Sequence, residues 1–321
     1  MLAARLLSQK SVPDPHFPRR HISTLPQNTS TLTRMKIDKS RARLKEILAG
    51  ERAVLASSLF DPMTARIADE LGIEVGLMGG SVASLAVLGA PDLVLLTLTE
   101  LAEQARRVCR AASVCVLVDA DHGYGNALNV MRTVEELQAA GVAGCTIEDT
   151  LLPRAFGSSS APQLLSLEEG IGKMKAAVRA RGASGMAIFG RTSAHLITGV
   201  DDAIKRFKAY EEAGVDALFI PGMKKREDLE AIAAAVKLPL IVAGVGETLH
   251  DEPYLAGHKV RVYAKGHEPF AAAVQAMYDS IKAVRDGTPP KELRSIASSE
   301  LMARLTRNVD YDGLARDFLG G

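Results

Sequence analysis

Tryptophan is absent from this chain, and aromatic residues of any kind make up only 4% of it. A core therefore has to be filled mainly by Ala, Val, Leu and Ile. Cysteine is nearly as scarce. Cys109, Cys115 and Cys145 show neither C-x-x-C spacing nor a disulfide framework, which points to a reducing compartment and to thiols used for packing. An excess of either charge is also missing: 39 basic side chains face 38 acidic ones, a formal net charge of +1, so no global field favours nucleic acid or an anionic membrane. No apolar run approaches the roughly 20 residues of a membrane span. These absences leave a soluble protein with no nucleic-acid or membrane partner, acting on a small molecule.

The remaining composition, 47% hydrophobic and 24% charged, is that of a globular domain. A length of 321 residues suits one large α/β barrel with extensions. Residues 1–34 stand apart. Arg5, Lys10, Arg19, Arg20 and Arg34 are opposed only by Asp14, among many Ser, Thr and Pro, and the segment is expected to be a disordered extension. It reads either as a mitochondrial transit peptide or as the product of a start placed upstream of Met35; Pro13, Pro15 and Pro18 would interrupt an amphipathic leader helix and favour the second. The expected location is the cytoplasm, or the mitochondrial matrix if the segment is a leader. Residues 35–321 are expected to form a single domain.

Within that domain short β-branched runs alternate with helical patterns. Gly72, Gly141 and Gly214 each follow a last helical turn and precede an apolar run, where a left-handed residue can end the helix. Thr97 with Glu100, and Ser166 with Glu169, have the spacing of capping boxes. Val130, Val134 and Leu137 give one helix its core stripe. The predicted strands are 53–57, 75–78, 114–118, 144–147, 186–190, 217–220, 240–243 and 260–263. Eight strands, most followed by a helix, predict a (β/α)8 TIM-type barrel. A doubly wound open sheet is the rival, but no G-x-G-x-x-G opens a helix after the first strand. Helical patterns beyond residue 286 are left over, as extra C-terminal helices that need something to pack on.

In such a barrel the active site lies at the C-terminal ends of the strands. Polar residues gather there: Asp61 after strand one, Gly79-Gly80-Ser81 after strand two, Asp119, Asp121 and His122 after strand three, Glu148 and Asp149 after strand four, Arg191 after strand five and His267 after strand eight. Asp119 and Asp121 would share a face if both were extended, and Glu148 arrives from the next strand. Three converging carboxylates call for a cation, and an all-oxygen donor set favours Mg²⁺ or Mn²⁺ over Zn²⁺. Asp119 is the expected direct ligand, with Asp121 and Glu148 acting through water. The alternative is that these acids cap helices or pair with barrel arginines. Arg191 offers a planar fork for a substrate carboxylate, or an ion pair with Glu148 or Asp149. Asp61, Gly80 and Ser81 are further expected substrate contacts. His267 is placed to hydrogen-bond a keto or enolate oxygen or to move a proton, and His122 to brace the acidic loop.

Phe60-Asp61-Pro-Met-Thr-Ala-Arg, Gly79-Gly-Ser-Val-Ala, Asp119-Ala-Asp-His-Gly-Tyr-Gly125, Thr146-Ile-Glu-Asp149 and Arg191-Thr, in that order, resemble the isocitrate lyase/phosphoenolpyruvate mutase superfamily. The resemblance runs from about Lys39 to the end. It implies a Mg²⁺-dependent barrel that stabilises an enolate of an α-keto acid, and a homotetramer whose subunits exchange a C-terminal helix. It also implies Ser81 as a carboxylate contact, Asp119 as the metal ligand, Asp121 and Glu148 as outer metal contacts and Arg191 as the substrate arginine. Where lyases of the superfamily carry a Lys-Arg-Cys-Gly-His-type loop, this chain reads Thr150-Leu-Leu-Pro-Arg-Ala-Phe-Gly-Ser-Ser-Ser160, without Cys or His. That wording, the Asn126-Ala-Leu-Asn-Val-Met-Arg-Thr continuation and Gly266-His267 resemble the oxaloacetate decarboxylase branch, in which the equivalent of His267 contacts substrate. The resemblance thus implies Mg²⁺-dependent conversion of oxaloacetate to pyruvate and CO₂. C–P bond chemistry, as in phosphonopyruvate hydrolysis or phosphoenolpyruvate mutation, and a non-catalytic α-keto acid binder remain the alternatives. Gly244-Val-Gly-Glu-Thr-Leu-His250 matches no version of the pattern.

Overall fold

The computed structural model describes residues 29–157 and 161–320, so the expectations for residues 1–28 lie outside the described residues. Residues 29–34, expected to be disordered, are instead the first part of helix α1 (Thr29–Ala49). No proline stands between Pro26 and Pro62, so a helix anchored further along can propagate back through them. The anchor is strong. Leu44, Ile47 and Leu48 join the apolar interior of the barrel, and Leu44 is fully buried. Arg41 then donates to the carbonyls of Val142 at 3.1 Å, Ser184 at 3.0 Å and Gln138 at 3.0 Å, tying α1 to the approaches of two strands.

Strands β1 (Val54–Ser58), β2 (Val75–Met78), β3 (Cys115–Asp119), β4 (Gly144–Glu148), β5 (Ala187–Arg191), β6 (Ala217–Pro221), β7 (Leu240–Ala243) and β8 (Val260–Ala264) pair in parallel in chain order, and β8 closes on β1. The closed barrel is the predicted architecture. Side chains alternate across each strand. Cys115 and Leu117, Ala187 and Phe189, and Phe219 and Val262 fill the barrel interior, while Val116, Val118, Ile188 and Leu218 face the helices. One bulky ring compensates for the shortage of aromatics: Phe189 lies where a side chain on Gly144 would be, 2.5 Å from an ideal Cβ there.

The remaining helices are α2 (Pro62–Glu70), α3 (Gly80–Leu88), α4 (Leu98–Ala111), α5 (Ala127–Ala140), α6 (Leu167–Arg181), α7 (Ala194–Ile197), α8 (Val200–Ala213), α9 (Arg226–Ala235), α10 (Glu252–Gly257), α11 (Glu268–Arg285), α12 (Ser299–Thr306) and α13 (Asn308–Leu319). Gly141 and Gly214 end α5 and α8 in the left-handed region, at φ 92° in both cases. Thr97 and Glu100 complete their capping box, and Ser166 accepts from the Glu169 N–H. Among the described residues no helix is long and apolar enough to cross a membrane.

The C-terminal helices break the pattern. In α11 no residue is buried, and Met277 and Ile281 are 55% and 71% exposed. Helix α12 leans on α2, where Arg304 pairs with Glu70 at 2.8 Å and Arg66 donates to the Leu305 carbonyl at 2.8 Å.

Candidate active site at the barrel mouth

Period-two alternation delivers the chemistry. The inward positions that are apolar lower in the barrel become Asp119 on β3, Thr146 and Glu148 on β4 and Arg191 on β5 at its upper end. Register brings them side by side: Asp119 is paired with Thr146, and Glu148 with Arg191. Arg191 forms ion pairs with Asp119 and, through Nε, with Glu148 at 3.0 Å. Of its two expected pairings, Glu148 is realised and Asp149 is not. Thr146 Oγ1 donates to Asp119 Oδ1 at 2.7 Å. Below the guanidinium lies the Phe219 ring, 5.6 Å away.

Burial pushes the Asp119 carboxyl up, but Arg191, Thr146 and the Asp121 backbone together hold it below the usual carboxylate range. Asp121 goes the other way. Burial and the neighbouring charges of Asp119 and Glu148 raise it well above that range. Glu148 is also raised, by burial against the pull of Arg191. Asp121 is not extended as expected, since the strand ends at Asp119 and Asp121 lies at φ 47°. Its carboxylate still reaches the mouth because the turn folds it over Gly80, whose ideal Cβ would stand 2.7 Å from Asp121 Oδ1. Gly80 therefore makes room for a carboxylate, and it is absent from the lining of the cavity.

Asp61 is a second correction. Pro62 starts α2 immediately after it, and Asp61 turns to cap that helix, accepting from the Thr64 N–H at 2.7 Å while Thr64 Oγ1 accepts from the Asp61 N–H at 3.1 Å. It does not line the cavity. Ser81, Asp119, Asp121, Glu148, Arg191 and His267 do, around a volume of about 670 Å³. Asp92, from the segment joining α3 to α4, also lines it and was missed, because a test of strand ends does not inspect such a connection.

His267 sits at the start of α11, with Nδ1 2.8 Å from Ser58 Oγ. Its Nε2 would lie 2.8 Å from a Cβ on Gly79, so glycine there admits the ring. Burial lowers the His267 pKa, against the pull of Asp119, Glu268 and Asp92. His122 is outside the cavity. Burial and then Lys173 push it down to about 4, while its carbonyl accepts from Lys173 Nζ at 2.8 Å. The brace on the acidic loop is thus a backbone one, seconded by Thr133 Oγ1 donating to the Gly123 carbonyl at 3.0 Å. Asp149 faces outward, buried against Arg206 and Tyr210. The unmatched 244–250 segment contributes only Gly244 to the mouth; Gly246 donates to the Met223 carbonyl at 2.9 Å, and a short 3₁₀ turn, Glu247–Leu249, follows.

The donor chemistry suits a hard cation. Asp119, Asp121, Glu148 and Asp92 face two guanidiniums, those of Arg191 and Arg154, an excess of acid that a divalent ion would offset. Among the described residues no three His, Cys, Asp or Glu side chains are gathered as a ready cage, so the fit rests on oxygen donors rather than on a preformed chelate. Asp119 Oδ1 accepts from Thr146 Oγ1 at 2.7 Å and from the Asp121 N–H at 3.3 Å, whereas Oδ2, paired with Arg191 alone, retains a lone pair for a cation. No thiol reaches the mouth: Cys115 and Cys145 are buried elsewhere, and burial pushes Cys109 and Cys145 up to about 12.

The family profile described as phosphoenolpyruvate phosphomutase matches residues 44–285. An oxaloacetate decarboxylase of Rhodopseudomonas palustris (strain BisA53) is 56% identical over 280 residues, covering 87% of this chain and 96% of that protein. One of Paraburkholderia xenovorans (strain LB400) is 52% identical over 281 residues, covering 88% and 94%. Among solved structures, a phosphonopyruvate hydrolase in complex with oxalate and Mg²⁺ superposes with a TM-score of 0.78 at 26% identity, over 87% of this chain and 99% of that one.

Proposed function

The chain belongs to the phosphoenolpyruvate phosphomutase family, and from that premise we propose that it is a divalent-metal-dependent oxaloacetate decarboxylase, releasing pyruvate and CO₂. The observation that carries this reading is identity above half, across the whole barrel, with relatives of that name. The mouth supports it, having the carboxylates, the arginine and the imidazole that the reaction needs and no thiol to act as the acid of a lyase.

Asp119, Asp121 and Glu148 would hold Mg²⁺, Asp119 directly. The ion supplies Lewis-acid stabilisation of the charge that develops on the keto oxygen. Ser81, two residues into α3 from Gly79, and Arg191 bind and orient the retained carboxylate. His267 presents its Nε2–H to the enolate that forms as the C3–C4 bond breaks. Leu93, Val94, Leu151, Leu152 and Pro153 line the outer part of the cavity. The test is pyruvate formation from oxaloacetate with and without Mg²⁺, corrected for spontaneous loss of CO₂, beside phosphonopyruvate and 2-methylisocitrate. Oxaloacetate alone should turn over, and only with metal; faster release of phosphate from phosphonopyruvate would move the chain to C–P chemistry, and metal and oxalate binding without any turnover would make it a binder.

The same reading gives the exposed apolar residues of α11 a cover, a second copy of the chain within a homotetramer. Sedimentation should find four 34.2-kDa chains together, and Ile281→Glu should shift them to smaller species. A monomeric parent protein would end that part of the proposal.

A further inference from the structure

Ser58 is the last inward position of β1, in line with Val54 and Ala56 of the barrel interior. It is buried, and its Oγ meets Nδ1 of His267 at 2.8 Å. Behind the pair is a second cavity of about 110 Å³, walled by Leu77, Ala243, Gly244 and Ala264 together with Ser58 and His267. It is large enough to hold water. Apart from backbone, Ser58 and His267 are the polar groups on that wall.

The geometry assigns Ser58 and this cavity, which adjoins the mouth through Leu77, Ala243, Gly244 and His267, to a proton relay that serves His267 through Nδ1. The assignment rests on the decarboxylase reading, in which loss of CO₂ leaves an enolate that must gain a proton at C3. His267 enters the step neutral, with its proton on Nε2. The C3–H bond forms as the Nε2–H bond breaks; Nδ1 takes the hydroxyl proton of Ser58, and Ser58 takes one from cavity water replenished by solvent. The ring changes tautomer without ever being charged, and after product leaves the relay runs in reverse, solvent at the mouth donating to Nε2 as Nδ1 returns its proton to Ser58 and Ser58 to cavity water; one proton is consumed overall, and nothing is oxidised or reduced. Burial makes an imidazolium costly at this position, so a route that avoids it has the advantage. Ser58 touches no substrate atom and acts as a positioning and relay residue.

Two measurements on the full-length protein test this. In protein labelled with ¹⁵N-histidine, the His267 signal, identified by its loss in His267→Gln, should show the proton on Nε2 and a bare Nδ1, and Ser58→Ala should convert it to a tautomer mixture. In H₂O/D₂O mixtures the parent enzyme should give a curved proton inventory, more than one proton moving together. Ser58→Ala should give a linear one, with kcat down about tenfold and KM for oxaloacetate within about twofold. A His267 protonated on Nδ1 in the parent protein, or a Ser58→Ala variant with unchanged tautomer and inventory, would overturn the relay. If oxaloacetate is not a substrate at all, the decarboxylase reading fails by itself, and the nitrogen signals still report whether Ser58 sets the tautomer.

Discussion

Replacing Asp119 by Asn should lower kcat/KM for oxaloacetate by at least about 10³-fold, a loss of about 4 kcal/mol of transition-state stabilisation. The substitution is nearly isosteric. An amide oxygen can still accept from Thr146 Oγ1, which lies 2.7 Å from Asp119 Oδ1, and β3 keeps its register with β4. What is lost is charge, at the carboxylate held furthest toward the ionised form by Arg191, Thr146 and the Asp121 backbone against the effect of burial. Asp121 and Glu148 do not make up the loss, because burial, the largest cause acting on each, still pushes both toward the protonated form once the Asp119 charge is gone. The variant should therefore bind Mg²⁺ more weakly by calorimetry as well as turn over more slowly in a pyruvate-coupled assay. Its thermal unfolding should change little beside that. A variant retaining a third of the parental rate in Mg²⁺ would remove Asp119 from the metal site.

How much of this site can be read in the primary structure depends on whether a residue's role follows from strand period. Asp119, Glu148 and Arg191 follow from it, since the inward positions of three apolar strands run on into acid, acid and guanidinium. The predicted strands before Ser58, Asp119, Glu148 and Arg191 stop one residue early for the same reason: apolar propensity ends there, but the ladder continues through a polar residue that faces the mouth. Asp61 misleads because an acid after a strand is also an N-cap when proline follows it, and the cap is the local interaction that forms. Asp121 lines the mouth by a left-handed turn in place of the extended geometry that was expected. The plug formed by α1 had a signal, apolar residues at 44, 47 and 48, but nothing in the chain says that such a face enters the barrel end rather than packing outside. The pairing of Ser58 with His267 joins the ends of β1 and the segment after β8, 209 residues apart, and only closure of the barrel makes them neighbours.

Two adjacent acids divide between chemistry and scaffold. Glu148 ends β4 facing inward, and Asp149 faces outward with its side chain fully buried. Asp149 accepts from Tyr210 Oη at 2.6 Å and from Arg206 at 3.0 Å, and Arg206 also donates to the Leu165 carbonyl at 3.1 Å and pairs with Asp202 at 2.9 Å. One guanidinium thus fastens β4, the segment entering α6 and helix α8 itself. Arg206→Met keeps much of the side-chain volume but leaves the Asp149 carboxylate buried with only the tyrosine hydroxyl. Breaking a buried pair from one side costs about 3–5 kcal/mol, and the Leu165 carbonyl loses a donor in addition. Chemical denaturation should show a loss of that size, with the midpoint moved and the slope unchanged. The Asp149→Asn and Arg206→Met double variant should recover part of it, because the uncompensated charge is then gone. KM for oxaloacetate in the single variant, measured well below its unfolding temperature, should stay within about twofold of the parent, since neither Asp149 nor Arg206 lines the mouth. A stable Arg206→Met protein with impaired substrate binding would reverse this division and place Asp149, through the adjoining Glu148, in the catalytic machinery.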